Sequence, residues 1–297
     1  MKETKNTDEN KTETSLSNGA RRNRILRCMA ILGVIAAVIT AAFAGYCLHQ
    51  NQVEEKKQAE EQKIKKQKEK QSKKAKEETP EEKLARVRKQ AEENGYPESV
   101  IELLDKNEET VDFVADYAKK KDKPCADTIG EDLSSGKIPE LLQWDERWGY
   151  APYGTGIVAT SGCGPTCMAM VAAGLNQDAS ITPAKVAAYG TEHGYVDEEN
   201  NTYWRFMEEA GANWNLNSYG GMLSEEQVSA ELAQGHPIIC SMGPGDFTQI
   251  GHFIVLTGYE NGNVKVNDPF SMKNTNATWS FAGIKDQIKA MWVFSKK

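Results

Sequence analysis

Hydrophobic and polar positions follow several different rhythms along this chain. Residues 1–24 are polar without any hydrophobic period, and Cys28 to Leu48 then gives 21 residues without a charge. From Gln50 to Gln90 the chain is almost entirely Glu, Gln and Lys. Its few apolar residues (Val53, Ile64, Leu84, Val87) are too sparse for the a/d seam of a stable coiled coil. Helical periodicity returns between Pro80 and Lys121. Val100, Leu103 and Leu104 recur at helical spacing, as do Val111, Val114 and Ala115, with Gly95-Tyr96-Pro97 as a break. Lys123 to Gly136 reads as a linker.

The last 160 or so residues carry the core-forming patterns. An apolar helix is predicted from Cys163 to about Leu175. Thr182-Pro183 should open another, and Ser224-Glu225-Glu226-Gln227, a capping-box sequence, a third that Gly235 ends. Tyr203, Trp204, Phe206 and Met207 form an aromatic-rich helix read as core packing. Ile250 to Tyr259 reads as a buried strand, and Asn263 to Pro269 as its partner, joined by Asn261-Gly262, a strong hairpin signal. The expected organisation is a cytoplasmic segment (1–27), a transmembrane helix (28–48), a charged stalk (49–90), a helical pre-domain with linker (91–136) and an α+β domain (137–297).

The uncharged run is long enough to span a bilayer, and Arg21, Arg22, Arg24 and Arg27 abut its start. That places the N-terminus inside and the remainder on the extracytoplasmic side of the cell membrane. Ala42-Phe43-Ala44 has the small-x-small form of a signal-peptidase site, so anchor and cleaved signal both stand. The stalk, if fully helical, would reach on the order of 60 Å at about 1.5 Å per residue.

Charge narrows the partners. From Lys137 onward there are 10 Lys+Arg against 17 Asp+Glu, and all six Trp lie at or beyond Trp144. An acidic core-forming half argues against nucleic acid, whose phosphates need a basic surface. Six cysteines without a C-x-x-C pair, and four scattered histidines, suggest neither a disulfide framework nor a metal site. No cofactor is expected.

The chemistry gathers at Thr160-Ser161-Gly162-Cys163-Gly164-Pro165-Thr166-Cys167. Pro165 suits a helix's first turn and Gly162 a tight entry, so Cys163 should open the helix. Unpaired N–H groups and the positive dipole end there favour a thiolate, the nucleophilic form of cysteine. Cys167, one turn on, reads as packing. His252 lies at the mouth of the buried strand, and the hairpin returns Asp268 toward it, where a carboxylate can orient the ring and stabilise its cation. A flush two-residue turn would instead pair Val255 with Asp268 and put His252 on the opposite face. The constellation therefore requires a one-residue irregularity, with Gly258 or Gly262 the natural place for a bulge. Asn267 is the rival orienting group, although neighbours on a strand point to opposite faces. Gln143 could donate to an oxyanion beside the backbone N–H of Cys163. His193 and His236, in polar Gly-containing turns, read as surface or structural residues.

The order Gln-Trp-Asp-x-Arg-Trp-Gly, Ser-Gly-Cys-Gly-Pro-Thr, Gly-His-Phe-Ile-Val-Leu-Thr-Gly and Asn-Asp-Pro resembles the papain-like cysteine peptidases related to the bacteriocin-processing, double-glycine-leader family. The likeness covers residues 138–297. It implies a papain-like α+β fold with a Cys-bearing helix on an antiparallel sheet. It implies Cys163 as nucleophile, His252 as general base, Asp268 as orienting acid and Gln143 as oxyanion donor, acting on a peptide or protein. Leader-processing members are fused to a transporter, and neither its several spans nor its nucleotide-binding domain occurs in this sequence, which leaves the double-glycine leader open as substrate. Three functions compete: peptide hydrolysis through a Cys163 thioester, a cell-wall endopeptidase or amidase of the same fold, and a non-catalytic stalked binding module.

Overall fold

Thr79 begins the continuous part of the structure with a full capping box. Its side chain accepts from Glu82 N (3.2 Å), and the Glu82 carboxylate accepts from Thr79 N (3.0 Å). The computed structural model describes residues 78–297, together with Met29, Thr40, Gly45, His49, Gln50, Lys56, Lys57, Gln62 and Lys63. The segment 28–48 and the stalk up to residue 77 otherwise lie outside the described residues. Among the described residues no helix is long and apolar enough to cross a membrane. The chain divides into two units, 1–78 and 79–297, and the second carries every strand found among the described residues.

Helix α1 (Pro80–Glu93) starts inside the stretch read as stalk and buries Val87 and Ala91. Their spacing is too sparse for a coiled-coil seam, yet it supplies one face for a small core. Val100, Leu103 and Leu104 complete that core, with Phe113 and Val114 of helix α2 (Val111–Lys120). The face that α1 and α2 share is thus local and needs no second strand of coiled coil.

Residues 123–136, read as a linker, are irregular but packed. Ala126 N donates to Arg147 O (2.9 Å), Ile129 N donates to Ala179 O (2.8 Å), and the Ile129 side chain is fully buried. An isolated isoleucine among polar residues gives no periodic signal, which is why the pattern reads as unstructured.

The main sheet has six strands, all neighbours antiparallel. They are β3 (Leu216–Gly220), β4 (Ile238–Met242), β5 (His252–Glu260), β6 (Asn263–Asn267), β7 (Trp279–Ser280) and β8 (Ile288–Lys296), in the order β3-β8-β4-β5-β6-β7. Strands β1 (Pro152–Tyr153) and β2 (Gly156–Ile157) form a separate small ribbon.

Alternation assigns the two faces of the sheet. Ile239, Phe253, Val255, Trp292 and Phe294 meet helix α3 (Cys163–Asn176). Cys240, Ile254, Leu256, Met291 and Val293 meet Val228 and Leu232 of helix α5 (Glu225–Ala233). Both sides of β4 and of the middle of β5 are covered, so those stretches are apolar apart from Ser241, whose hydroxyl accepts from Trp204 Nε1 (3.2 Å). Helix α3 is buried nearly all round, as its composition requires.

Helix α4 (Pro183–Glu192) has Thr182 as its cap, accepting from Lys185 N (3.3 Å). Only half of the expected capping box forms at α5. Ser224 accepts from Gln227 N (3.2 Å), but the Gln227 side chain turns to Met222 N instead. The aromatic-rich helix is shorter than expected, Arg205–Glu209. Phe206 and Met207 are buried, whereas Tyr203 (45 % exposed) and Trp204 (49 %) precede it and face outward.

Candidate active site

Cys163 is the first residue of α3, half-buried, with Gly162 as the N-cap. The short helix Val158–Ser161 runs directly into it, and Gly162 N donates to Val158 O (2.7 Å). A Cβ on Gly162 would lie 2.5 Å from Val158 O and 2.8 Å from Val158 Cα, both backbone atoms that cannot swing away. Gly162→Ala should therefore force the entry to the helix apart. The expected loss is about 1–3 kcal/mol in urea unfolding, the usual range for overpacking. An unchanged midpoint would show that the Val158 turn yields freely.

The β5–β6 hairpin carries the required irregularity. Asn261 (φ +50°) and Gly262 (φ +80°) make the two-residue turn, both in the left-handed region such hairpins demand. Glu260 pairs with Asn263 and Gly258 with Lys265, but Leu256 pairs with Val266 and Val255 with Asn267. Thr257 is the extra residue, next to Gly258. The shift puts Asn267 where a flush ladder would have Asp268, so Asp268 leaves β6 one position nearer to His252.

His252 Nε2 and Asp268 Oδ1 are 2.7 Å apart, with the His252 side chain 9 % and the Asp268 side chain 1 % exposed. Cys163 also acts on the ring, in the sense that favours its cation. Because Nε2 is engaged by the carboxylate, Nδ1 is the nitrogen left for sulfur. Burial alone would pull the imidazole pKa down. The Asp268 charge and hydrogen bond, aided by Cys163, outweigh it and push the value up to about 10. Burial likewise works against the Asp268 anion, and His252, Asn274 and the Phe270 N–H overcome it to hold the carboxyl below its ordinary value.

Asp268 is held from several sides. Oδ1 also accepts from Phe270 N (2.8 Å), Oδ2 accepts from Asn274 Nδ2 (2.8 Å), and Asp268 N donates to Thr275 Oγ1 (2.9 Å). Phe270 stands edge-on to the imidazole, ring centroids 6.4 Å apart. Sequence reasoning did not find Phe270, Asn274 or Thr275. They lie in an irregular segment without periodicity, and Ser271, which caps helix α6 (Met272–Thr275), was the one available signal. Asn267 turns elsewhere, its Nδ2 donating to Pro139 O (3.0 Å).

Gln143 is 3 % exposed. Its Nε2 donates to Ala159 O (2.8 Å), four residues before Cys163, and its backbone N donates to Pro269 O (2.7 Å), just after Asp268. It thus bridges the two segments that carry the thiol and the carboxylate. Among the described residues, Gln143 Oε1 and Thr166 Oγ1 are the buried side-chain polar atoms left without a hydrogen-bond partner.

The other described thiols are Cys125, Cys167 and Cys240. Cys167 is fully buried with its Sγ on Phe253 O (3.3 Å), and burial raises its pKa well above normal; burial also raises the pKa of Cys240 and, at a half-buried position, of Cys125. A raised pKa favours the neutral thiol, the less nucleophilic form, at these positions. His236 pairs with Glu231 (2.8 Å), and His193 stacks on Tyr189 (ring centroids 4.0 Å), so both are used locally. Among the described residues no three His, Cys, Asp or Glu side chains gather as metal ligands.

A thiol at a helix N-terminus, an imidazole beside it and a carboxylate behind the ring define the papain-like class of thiol-dependent sites, on an α+β scaffold of matching design. The chain belongs to the Peptidase_C39 like family, which it matches over residues 137–297. No curated protein matches it in sequence. Among solved structures it is similar to the peptidase domain of Streptococcus ComA, a bi-functional ABC transporter involved in a quorum-sensing pathway. Identity there is 18 %, over 46 % of this chain and 93 % of that one, with a TM-score of 0.37. It is also similar to a Bacillus anthracis protein described as a C39-like peptidase, at 14 % identity over 56 % of this chain and 98 % of that one, with a TM-score of 0.37.

Proposed function

We propose that the chain is a membrane-anchored cysteine peptidase that hydrolyses peptide bonds on the extracytoplasmic side. The observation that carries this is the Nε2–Oδ1 contact of 2.7 Å between His252 and the buried Asp268, on a ring whose cation Cys163 also favours. Family membership supports the peptidase class. The uncharged stretch 28–48 behind its arginine cluster supports the anchor.

In this reading the Cys163 proton rests on His252 Nδ1, and the sulfur attacks the scissile carbonyl carbon. The oxyanion takes hydrogen bonds from the Cys163 backbone N–H and from the second amide hydrogen of Gln143. The intermediate collapses as Nδ1–H passes its proton to the leaving amine, breaking the C–N bond and leaving a thioester. Water then adds to that carbonyl, giving its proton to Nδ1, and the C–S bond breaks to release the acid, leaving the sulfur as thiolate beside the protonated ring. Asp268 holds the ring and its cation throughout.

The test is labelling of the full chain with an epoxysuccinyl peptide, a thiol-directed peptidase probe. Mass spectrometry should find the adduct on Cys163 alone among Cys125, Cys163, Cys167 and Cys240. Absence of any adduct, or equal labelling of the unfolded chain, would overturn the assignment. Profiling of the labelled site's substrates, with a peptide library beside purified peptidoglycan, separates a protein peptidase from a cell-wall endopeptidase.

A further inference from the structure

Asp268 depends on a segment that itself has little to stand on. Helix α6 is a single turn, and it supplies both Asn274 and Thr275 to Asp268. Its support comes from far upstream. Both oxygens of the Glu109 carboxylate accept hydrogen bonds at the start of α6, Oε2 from Met272 N (2.9 Å) and Oε1 from Lys273 N (3.0 Å). A carboxylate gripping two successive backbone N–H groups is a charge-assisted, two-point clamp, stronger and more directional than a neutral contact.

Asn107 aims that clamp. Its Oδ1 accepts from Glu109 N (3.0 Å), and its Nδ2 donates to Phe270 O (2.6 Å). Trp144 Nε1 donates to the same carbonyl (2.8 Å). The Phe270 ring packs against the core built from α1 and α2, and its other side meets His252. The segment 269–275 is therefore stretched between Asp268 and the 107–109 turn. Residues 107–109 lie outside the part of the chain that matches the family, 137–297.

We propose that Asn107 and Glu109 are positioning residues of the peptidase site, acting through Phe270, Asn274 and Asp268 to hold His252 against Cys163. The helical pre-domain is then part of the catalytic unit rather than a spacer. The inference rests on the proposed roles of Cys163, His252 and Asp268. Its failure and theirs are separable in one experiment.

Opening of an epoxide forms the S–C bond and breaks a C–O bond, and the oxygen takes its proton from the imidazolium. Labelling of Cys163 by an epoxysuccinyl peptide thus follows His252 protonation without need of a known substrate. The charged and titratable groups against that ring are Asp268 and Cys163, while Cys167 is kept neutral by burial. In the full-length chain, Glu109→Ala should slow labelling about ten- to a hundredfold, the usual cost of a small misplacement. It should also move the alkaline limb of the rate profile down by about one pH unit, because a loosened carboxylate raises the imidazole pKa less.

Glu109→Gln, which keeps an acceptor but not the charge, should lie between the two. Arg88→Ala breaks an ion pair with Asp105 in the same pre-domain and should leave the limb where it is. A Glu109→Ala profile that superimposes on the wild type would overturn the proposal, and so would a slower rate with an unmoved limb. If Glu109→Ala fails to fold, as judged by thermal melting, Glu109→Gln decides by the same limb. A wild-type chain that is not labelled at all would overturn the peptidase reading instead.

Discussion

Asp268→Ala should lower kcat for peptide hydrolysis by about 10³–10⁴-fold, the order seen when a catalytic imidazole loses its orienting acid. The ring would then be buried beside sulfur with nothing at Nε2, so neither its tautomer nor its cation would be favoured. Asp268→Asn is the informative companion. Its carbonyl oxygen can still accept from Nε2, which preserves geometry but removes charge. The difference between the two variants thus separates orientation from electrostatics, and a wild-type rate in Asp268→Ala would remove the carboxylate from the mechanism.

The pH dependence has a definite sign. The His252 pKa is raised from 6.5 to about 10, so its stabilisation of the fold is fully present below 6.5 and is lost as pH rises through about 10. The Asp268 pKa is lowered from 3.8, so its contribution is present above 3.8 and is lost as pH falls through its folded value. The wild type should therefore keep both activity and stability well into the alkaline range. In Asp268→Asn the alkaline limb should fall toward the ordinary histidine value, as read by pH–rate profiles and by melting at successive pH values.

Much of the site is legible in the amino-acid order alone, for reasons that particular residues make clear. Gly162 and Pro165 bracket Cys163 with backbone requirements, and backbone requirements are what a single sequence states most directly. The hairpin is legible because Asn261-Gly262 fixes its register. That fixed register exposes a conflict between Val255 opposite Asp268 and a working site. The conflict demands a bulge, and Thr257 supplies it beside Gly258, one of the two glycines suited to it. Asn267 and Asp268 are separable in principle by strand parity, but the choice needs Asn267's contact with Pro139, a carbonyl whose position no local pattern specifies.

The features that the sequence conceals share one property. Glu109 meets Met272, Ile129 meets a core that includes Trp148, and Trp204, though half exposed, packs on Trp292 and donates to Ser241 Oγ. Each depends on a long-range partner, and periodicity carries no information about partners. The start of α1 at Pro80 is blurred by composition, because Lys and Glu on its outer face continue the pattern of the stalk preceding it. Thr79-Pro80-Glu81-Glu82 holds the capping signal that places the boundary.

Gln143→Ala should cost about 10²–10³-fold in kcat, the range found for loss of one oxyanion donor. The amide is buried, its Nε2 spends one hydrogen on Ala159 O (2.8 Å), and its second hydrogen is the one available to a developing oxyanion. That anchoring hydrogen bond fixes the amide before substrate arrives, so little reorganisation is needed in the transition state. KM should change little, because the contact strengthens only as the carbonyl oxygen gains charge. Epoxide labelling of Cys163 should stay within a few-fold of the wild type, since that reaction develops no carbonyl oxyanion. Stability should also change little. The substitution removes a buried hydrogen bond and leaves a void, but it also removes Oε1, an acceptor without a partner whose burial costs about 1–3 kcal/mol. Equal losses in labelling and hydrolysis would mean that Gln143 serves only to join Ala159 to the Pro269 segment. A wild-type kcat would leave the Cys163 backbone N–H without that side-chain partner in the oxyanion site.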